Sequence, residues 1–143
     1  MRLTRTQEGS EMAIRGYRDL EVWQKAMDMA VACHQLAACF PANEQYGLAS
    51  QLRRAAVSVP ANIAEGKGRR GKREFIRFLL IAHGSLAEVE THLELAKRLG
   101  YAKPSRAEEL QDQAAEVGRM INGLVKALKT RSNSDPRAPT PKP

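Results

Sequence analysis

Leu110, Ala114, Val117, Ile121, Leu124 and Leu128 follow one another at steps of four, three, four, three and four residues. Such steps line the side chains along one stripe of an α-helix, whereas a strand would scatter them over both faces. Three more blocks carry the same spacing. The first is Leu20, Trp23, Met27, Ala30, His34 and Ala37, closed by Phe40-Pro41. The second is Leu48, Leu52, Ala55, Val59 and Ile63, closed by Gly66. The third is Phe75, Phe78, Ala82, Leu86, Val89, Leu93, Ala96 and Leu99, closed by Gly100, a residue suited to the left-handed position after a helix. No segment alternates with period two. Short connections between long helices make neighbours antiparallel, so the expected fold is all-α: an antiparallel up-down-up-down four-helix bundle. A chain of 143 residues supports one such core, and with 43% hydrophobic but 5% aromatic residues that core is mostly Ala, Leu, Val and Ile.

Local signals refine this outline. Ser105 and Glu108 after Pro104 read as a capping box opening the fourth helix. Pro60 removes a backbone donor inside the second, which predicts a kink or break between Ala56 and Pro60. Gly84, Ala87 and Thr91 lie beside the seam of the third helix and permit close approach of another helix or another subunit. The polar start and the Pro- and Ser-rich end predict a disordered extension over 1–15, a bundle over 16–130 and a disordered tail over 131–143. No apolar run reaches the roughly 18 residues of a membrane span. The start lacks the apolar stretch of a signal peptide, and Cys33 and Cys39 form no C-x-x-C pair, so a reducing cytoplasmic setting is expected.

The segment GKGRRGKREF, residues 66–75, imitates two phosphate loops. Gly66, Gly68 and Gly71 read as G-x-G-x-x-G, and Gly66 to Lys72 as G-x-x-x-x-G-K with Arg73 where the magnesium-binding hydroxyl belongs. Both motifs require a strand before the glycines, and here a helical block precedes them. The glycines are therefore expected to end the second helix and turn into the third. The charge is a stronger signal. Between Arg53 and Arg77 stand Arg53, Arg54, Lys67, Arg69, Arg70, Lys72, Arg73 and Arg77 against only Glu65 and Glu74, an excess of six in a chain whose net charge is +7. Lys72 and Arg73 fall at a helix start, where the macrodipole disfavours cations. Charge placed against helix stability points to an external anion, with nucleic acid first.

Chemistry beyond binding is not visible. Glu88, Glu90, Glu94 and His92 do not form the E-x-x-H pattern of a di-iron bundle, His34 reads as a seam residue, and neither the serines nor the cysteines have an activating partner. No catalytic residue, metal or cofactor is expected, and the chain reads as non-enzymatic.

Three stretches carry a resemblance: YRDLEVWQKAMDMAV, FPANEQYGLASQLRRAAVSVPANIAEGKGRR and FIRFLLIAHGSLAEVETHLELAKRLGY. From about Tyr17 to Leu128 the chain closely resembles the bacterial four-helix-bundle proteins encoded by intervening sequences of large-subunit ribosomal RNA genes. It is more distantly similar to the accessory variability protein of diversity-generating retroelements. The resemblance implies the bundle fold and a ring-shaped homo-oligomer, a pentamer; the distant one implies a reverse transcriptase partner. The combined expectation is an accessory factor that binds nucleic acid, RNA ahead of DNA, through Lys67, Arg69, Arg70, Lys72, Arg73 and Arg77, extended by Arg53 and Arg54. The alternative is a scaffold whose basic turn docks an acidic protein.

Overall fold

The structure, a computed structural model, describes residues 16–134. The expected disorder of 1–15 and of the last nine residues lies outside them. A 3₁₀ turn, Tyr17–Asp19, leads into α1 (Glu21–Ala38); a second, Ala42–Glu44, precedes α2 (Leu48–Gly68), which is followed by α3 (Lys72–Arg98) and α4 (Pro104–Ser134). No strand occurs among the described residues. Each helix packs on the next and α1 closes onto α4, giving the expected antiparallel four-helix bundle. The helical part of α4 continues four residues past the boundary read at 130.

The α2, α3 and α4 seams sit largely where the spacing put them. Leu52, Ile63, Leu86, Val89, Leu93, Leu110 and Ile121 are buried, while Phe78 and Leu124 are half-buried and Leu99 is exposed. On α1 the buried stripe differs. It runs through Val22, Ala26, Met29, Cys33 and Leu36, joined by Ala30 and Ala37, while Met27 and His34 face outward. Both stripes have helical spacing, and the one that wins leaves the imidazole in water and removes apolar side chains from it. Trp23 stays half-buried at the edge, its ring 5.1 Å from that of Tyr17 in an edge-on contact.

α2 is unbroken at Pro60, which is buried within it. The lost backbone bond concerns the Ala56 carbonyl alone, and packing against both neighbours carries the helix across. Just beside it, Asn62 Nδ2 donates to the Ser58 carbonyl at 2.8 Å, and the Ser58 and Ser85 hydroxyls share a hydrogen bond of 2.9 Å between α2 and α3.

The end of the bundle where α1 meets α2 and α3 meets α4 is tied by polar contacts. Glu44 Oε1 accepts the Leu48 N–H at 3.1 Å at the start of α2, and its Oε2 accepts the Tyr101 hydroxyl at 2.9 Å. Gly100, at φ 78°, closes α3 as its type predicted: its N–H donates to the Lys97 carbonyl and that of Tyr101 to the Ala96 carbonyl, a Schellman pairing. The expected capping box does not form. The Ala107 N–H donates to the Lys103 carbonyl, so Pro104 takes the first helical position, where its missing donor costs nothing. Ser105 falls inside the first turn, and the Glu108 carboxylate reaches Lys97 instead, at 3.5 Å.

Glu94 joins α3 to α4 at this end. It accepts from Arg98 at 2.9 Å, Gln111 at 3.1 Å and Lys97 at 3.3 Å, and these donors, Arg98 foremost, hold its carboxyl down at about 2. A carboxyl depressed by folding contributes stability above its unfolded value of 4.5, and that contribution is lost as pH falls from there toward 2. Glu94→Gln therefore lowers the melting temperature at pH 6, and the gap to the unsubstituted protein closes as pH drops through that window. A gap independent of pH would show that the carboxylate charge contributes nothing.

Candidate functional site

The helix-to-helix turn is tighter than the spacing of the glycines suggested, and the glycines exchange roles. α2 continues through Gly66 to Gly68, and only residues 69–71 separate it from α3. Gly66, expected to end α2, is buried inside it: a Cβ there would lie 2.6 Å from Phe78 Cβ and 3.2 Å from Phe75 Cδ1. It is a point of close helix approach. Gly71 makes the turn, with φ 97° immediately before α3, a conformation that favours glycine. Arg69 between them is extended, its N–H donating to the Gly66 carbonyl at 3.2 Å.

No side chain caps the start of α3. The N–H groups of its first turn have no intrahelical partner and carry the positive end of the helix dipole. Around them the cations fall into two sets. Arg69 pairs with Glu65 at 2.9 Å and Arg77 with Glu74 at 3.0 Å. Their guanidinium carbons lie 5.2 and 4.5 Å from the centre of the Phe78 ring, and Lys67 Nζ lies 5.6 Å from that of Phe75. The Arg77 hydrogen bond, followed by the charges of Arg77, Arg69 and Arg73, lowers the Glu74 carboxyl below its usual range. Arg70, Lys72 and Arg73 form the second set: none has a carboxylate within 4.0 Å among the described residues. Three cations without a carboxylate in contact among the described residues thus stand beside N–H groups that no intrahelical bond uses, a combination able to hold phosphate oxygens.

The fold does not bring Arg53 and Arg54 to this turn. They precede Arg69 by more than a dozen residues on α2, about 22–24 Å along the helix at its usual rise. Arg53 Nη2 donates to Gln45 Oε1 at 2.9 Å, tying α2 to the turn that precedes it, and Arg54 lines a shallow α2–α3 groove with Ser58, Glu88 and His92. The cations that the fold brings together at this turn, and that make up the candidate site, are therefore Lys67, Arg69, Arg70, Lys72, Arg73 and Arg77. Sequence reasoning missed Phe78, half-buried on α3, as the ring that both paired arginines cover. The signal was an aromatic one residue after Arg77, hidden by its reading as a seam residue.

No group of three His, Cys, Asp or Glu suited to a metal occurs among the described residues. None of the helices is long and apolar enough to cross a membrane. Cys33 is buried, which pushes its thiol up to about 12 and leaves it unreactive; Cys39 is exposed.

The bundle has counterparts. A family model described as 23S rRNA-intervening sequence protein matches residues 18–123, well over half of the chain. No curated protein matches. Among solved structures, a protein of unknown function from the S23 ribosomal protein family of Bacteroides thetaiotaomicron VPI-5482 is 29% identical and superposes with a TM-score of 0.68, over 73% of this chain and 98% of that one.

Proposed function

We propose that this chain, which belongs to the 23S rRNA-intervening sequence protein family, is a non-enzymatic RNA-binding accessory protein whose α2–α3 turn contacts the phosphate backbone. The observation that carries this reading is the placement of Arg70, Lys72 and Arg73, without ion-pair partners among the described residues, around the uncapped start of α3. Folding gains nothing from cations there, whereas a polyanion gains charge-assisted hydrogen bonds and releases counterions. The family's description refers to an intervening sequence of 23S rRNA, a gene context that makes a structured RNA the first nucleic acid to test.

Self-association fits the same reading. Gly84, Ala87, Thr91 and Leu95 are exposed along α3, so the small residues read from the sequence do not serve a helix of this bundle. A homo-oligomer joined there, pentameric by the family resemblance, repeats the turn and multiplies weak contacts into avidity.

The test is what the purified chain carries and what salt does to it. RNA binding predicts nuclease-sensitive material absorbing as nucleic acid, and an affinity for a structured RNA that falls steeply between 50 and 200 mM salt, by roughly tenfold or more for a few phosphate contacts. An affinity indifferent to salt overturns the reading. A stoichiometric acidic protein in place of nucleic acid favours the scaffold alternative.

A further inference from the structure

The basic surface does not stop at the turn. α3 and α4 run antiparallel in a fixed register: Lys97 meets Glu108, Glu94 meets Gln111, and Leu86 lies against Gly118, where an added Cβ would be 3.6 Å from its Cδ1. As one number falls the other rises by nearly the same amount. Continued toward the start of α3, that register sets Lys126 and Lys129 level with Phe75 to Leu79.

Their flank is set in the same way. Ala115, Arg119 and Asn122 of α4 line a groove of about 290 Å³ against His83, Ala87 and Glu90 of α3. Seven residues are close to two helical turns, so a seven-residue step keeps the flank. From Arg119 and Asn122 it leads to Lys126 and Lys129, and from Ala87 through Leu80 to Arg73. All three cations are exposed, and none has a carboxylate within 4.0 Å among the described residues.

The charge of the described bundle separates accordingly. Residues 16–21, 65–77 and 126–130, which share this end, hold nine cations against four carboxylates; the rest of 16–130 holds eight against nine. The excess is confined to one end and follows the α3–α4 groove only as far as its first turns. Farther along, Glu90 and Glu94 line the groove against Arg98 and Arg119, so its charge balances there and a backbone gains no net attraction.

Resting on the RNA-binding reading above, the geometry points to a composite surface: the RNA backbone leaves the α2–α3 turn and enters the near end of the α3–α4 groove, held between Arg73 on one wall and Lys126 and Lys129 on the other. Charge complementarity selects a polyanion, and the groove, with no net positive charge once Glu90 and Glu94 are reached, limits how far the backbone follows it.

The experiment uses the full chain and a stable RNA hairpin, with anisotropy titrations across a salt series. Replacing Lys126 and Lys129 together by glutamine reduces the slope of log affinity against log salt by about two and weakens binding several-fold, whereas Arg54→Gln changes neither. Both lysines are exposed, and an unchanged melting temperature excludes a folding defect. If the lysine variant binds like the unsubstituted protein while an Arg70, Lys72 and Arg73 variant does not, the composite surface is wrong and RNA binding at the turn stands. If the unsubstituted chain binds no RNA, both fail. If polyglutamate competes as well as RNA, and the lysine variant loses the peptide but keeps the RNA, the groove serves an acidic protein and the inference is overturned.

Discussion

Gly66→Ala destabilises the protein, and Gly68→Ala, two residues later in the same helix, stabilises it. Alanine is the better helix former by about 0.8–1 kcal/mol inside a helix, as at Gly66, and by less at Gly68, the last residue of α2, so propensity alone predicts two gains. The surroundings decide otherwise. Nothing lies within 4 Å of a Cβ built at Gly68, which keeps most of the gain, roughly 0.4–1 kcal/mol once the unfolded chain is counted. At Gly66 the new methyl would stand 2.6 Å from Phe78 Cβ and 3.3 Å from the Phe75 carbonyl oxygen, atoms fixed to the α3 backbone. Relief requires α2 and α3 to move apart across their packed interface, and overpacking of that kind costs about 1–3 kcal/mol or more. The net effect is a loss on the order of 1–2 kcal/mol. Urea unfolding of the two variants measures it, with an unchanged slope showing that the midpoint shift is a stability change. A Gly66→Ala protein as stable as the unsubstituted one would mean that the helices do not approach so closely.

Gly66 and Gly71 show what a linear reading can reach. The seam of α4 was legible because its steps of four and three admit only one face, and Leu110, Ala114, Val117 and Ile121 are buried as spaced. On α1 two stripes one or two residues apart share the same period, and the burial of Met29 and Cys33 over Met27 and His34 is decided by the partner helices. In GKGRRGKREF the glycine needed for its backbone angle and the one needed for its missing side chain look alike until α3 is docked. The charge excess was legible where it is contiguous in the chain. Arg53 and Arg54 joined it in sequence but not in space, whereas Lys126 and Lys129, some fifty residues later, stand beside it because α4 is antiparallel to α3.

The second large effect has opposite signs in two assays. Glutamine at Arg70, Lys72 and Arg73 together removes two cations from the first turn of α3 and one from just before it. Each cation in that field costs about 0.3–1 kcal/mol, so the triple variant is more stable, by something on the order of 1 kcal/mol after the weaker attraction to Glu74 is allowed for. Arg69 and Arg77 keep their carboxylates and their contact with Phe78, so the turn itself is unaltered. RNA affinity moves the other way. Without three phosphate-binding cations, each responsible for about 0.9 of the salt slope, the slope falls by nearly three and affinity at moderate salt drops by roughly one to two orders of magnitude. A solvated basic turn with no ligand would show the gain in stability at no cost to binding, because nothing would have been selected to offset the unfavourable placement of the charges.

The most direct test of RNA binding at the turn is therefore the salt dependence of affinity for one structured RNA, measured side by side on the unsubstituted chain and on the Arg70, Lys72 and Arg73 glutamine variant. A steep slope that flattens by nearly three in a variant at least as stable as its parent is the predicted result. Equal slopes and equal affinities for the two proteins would contradict it.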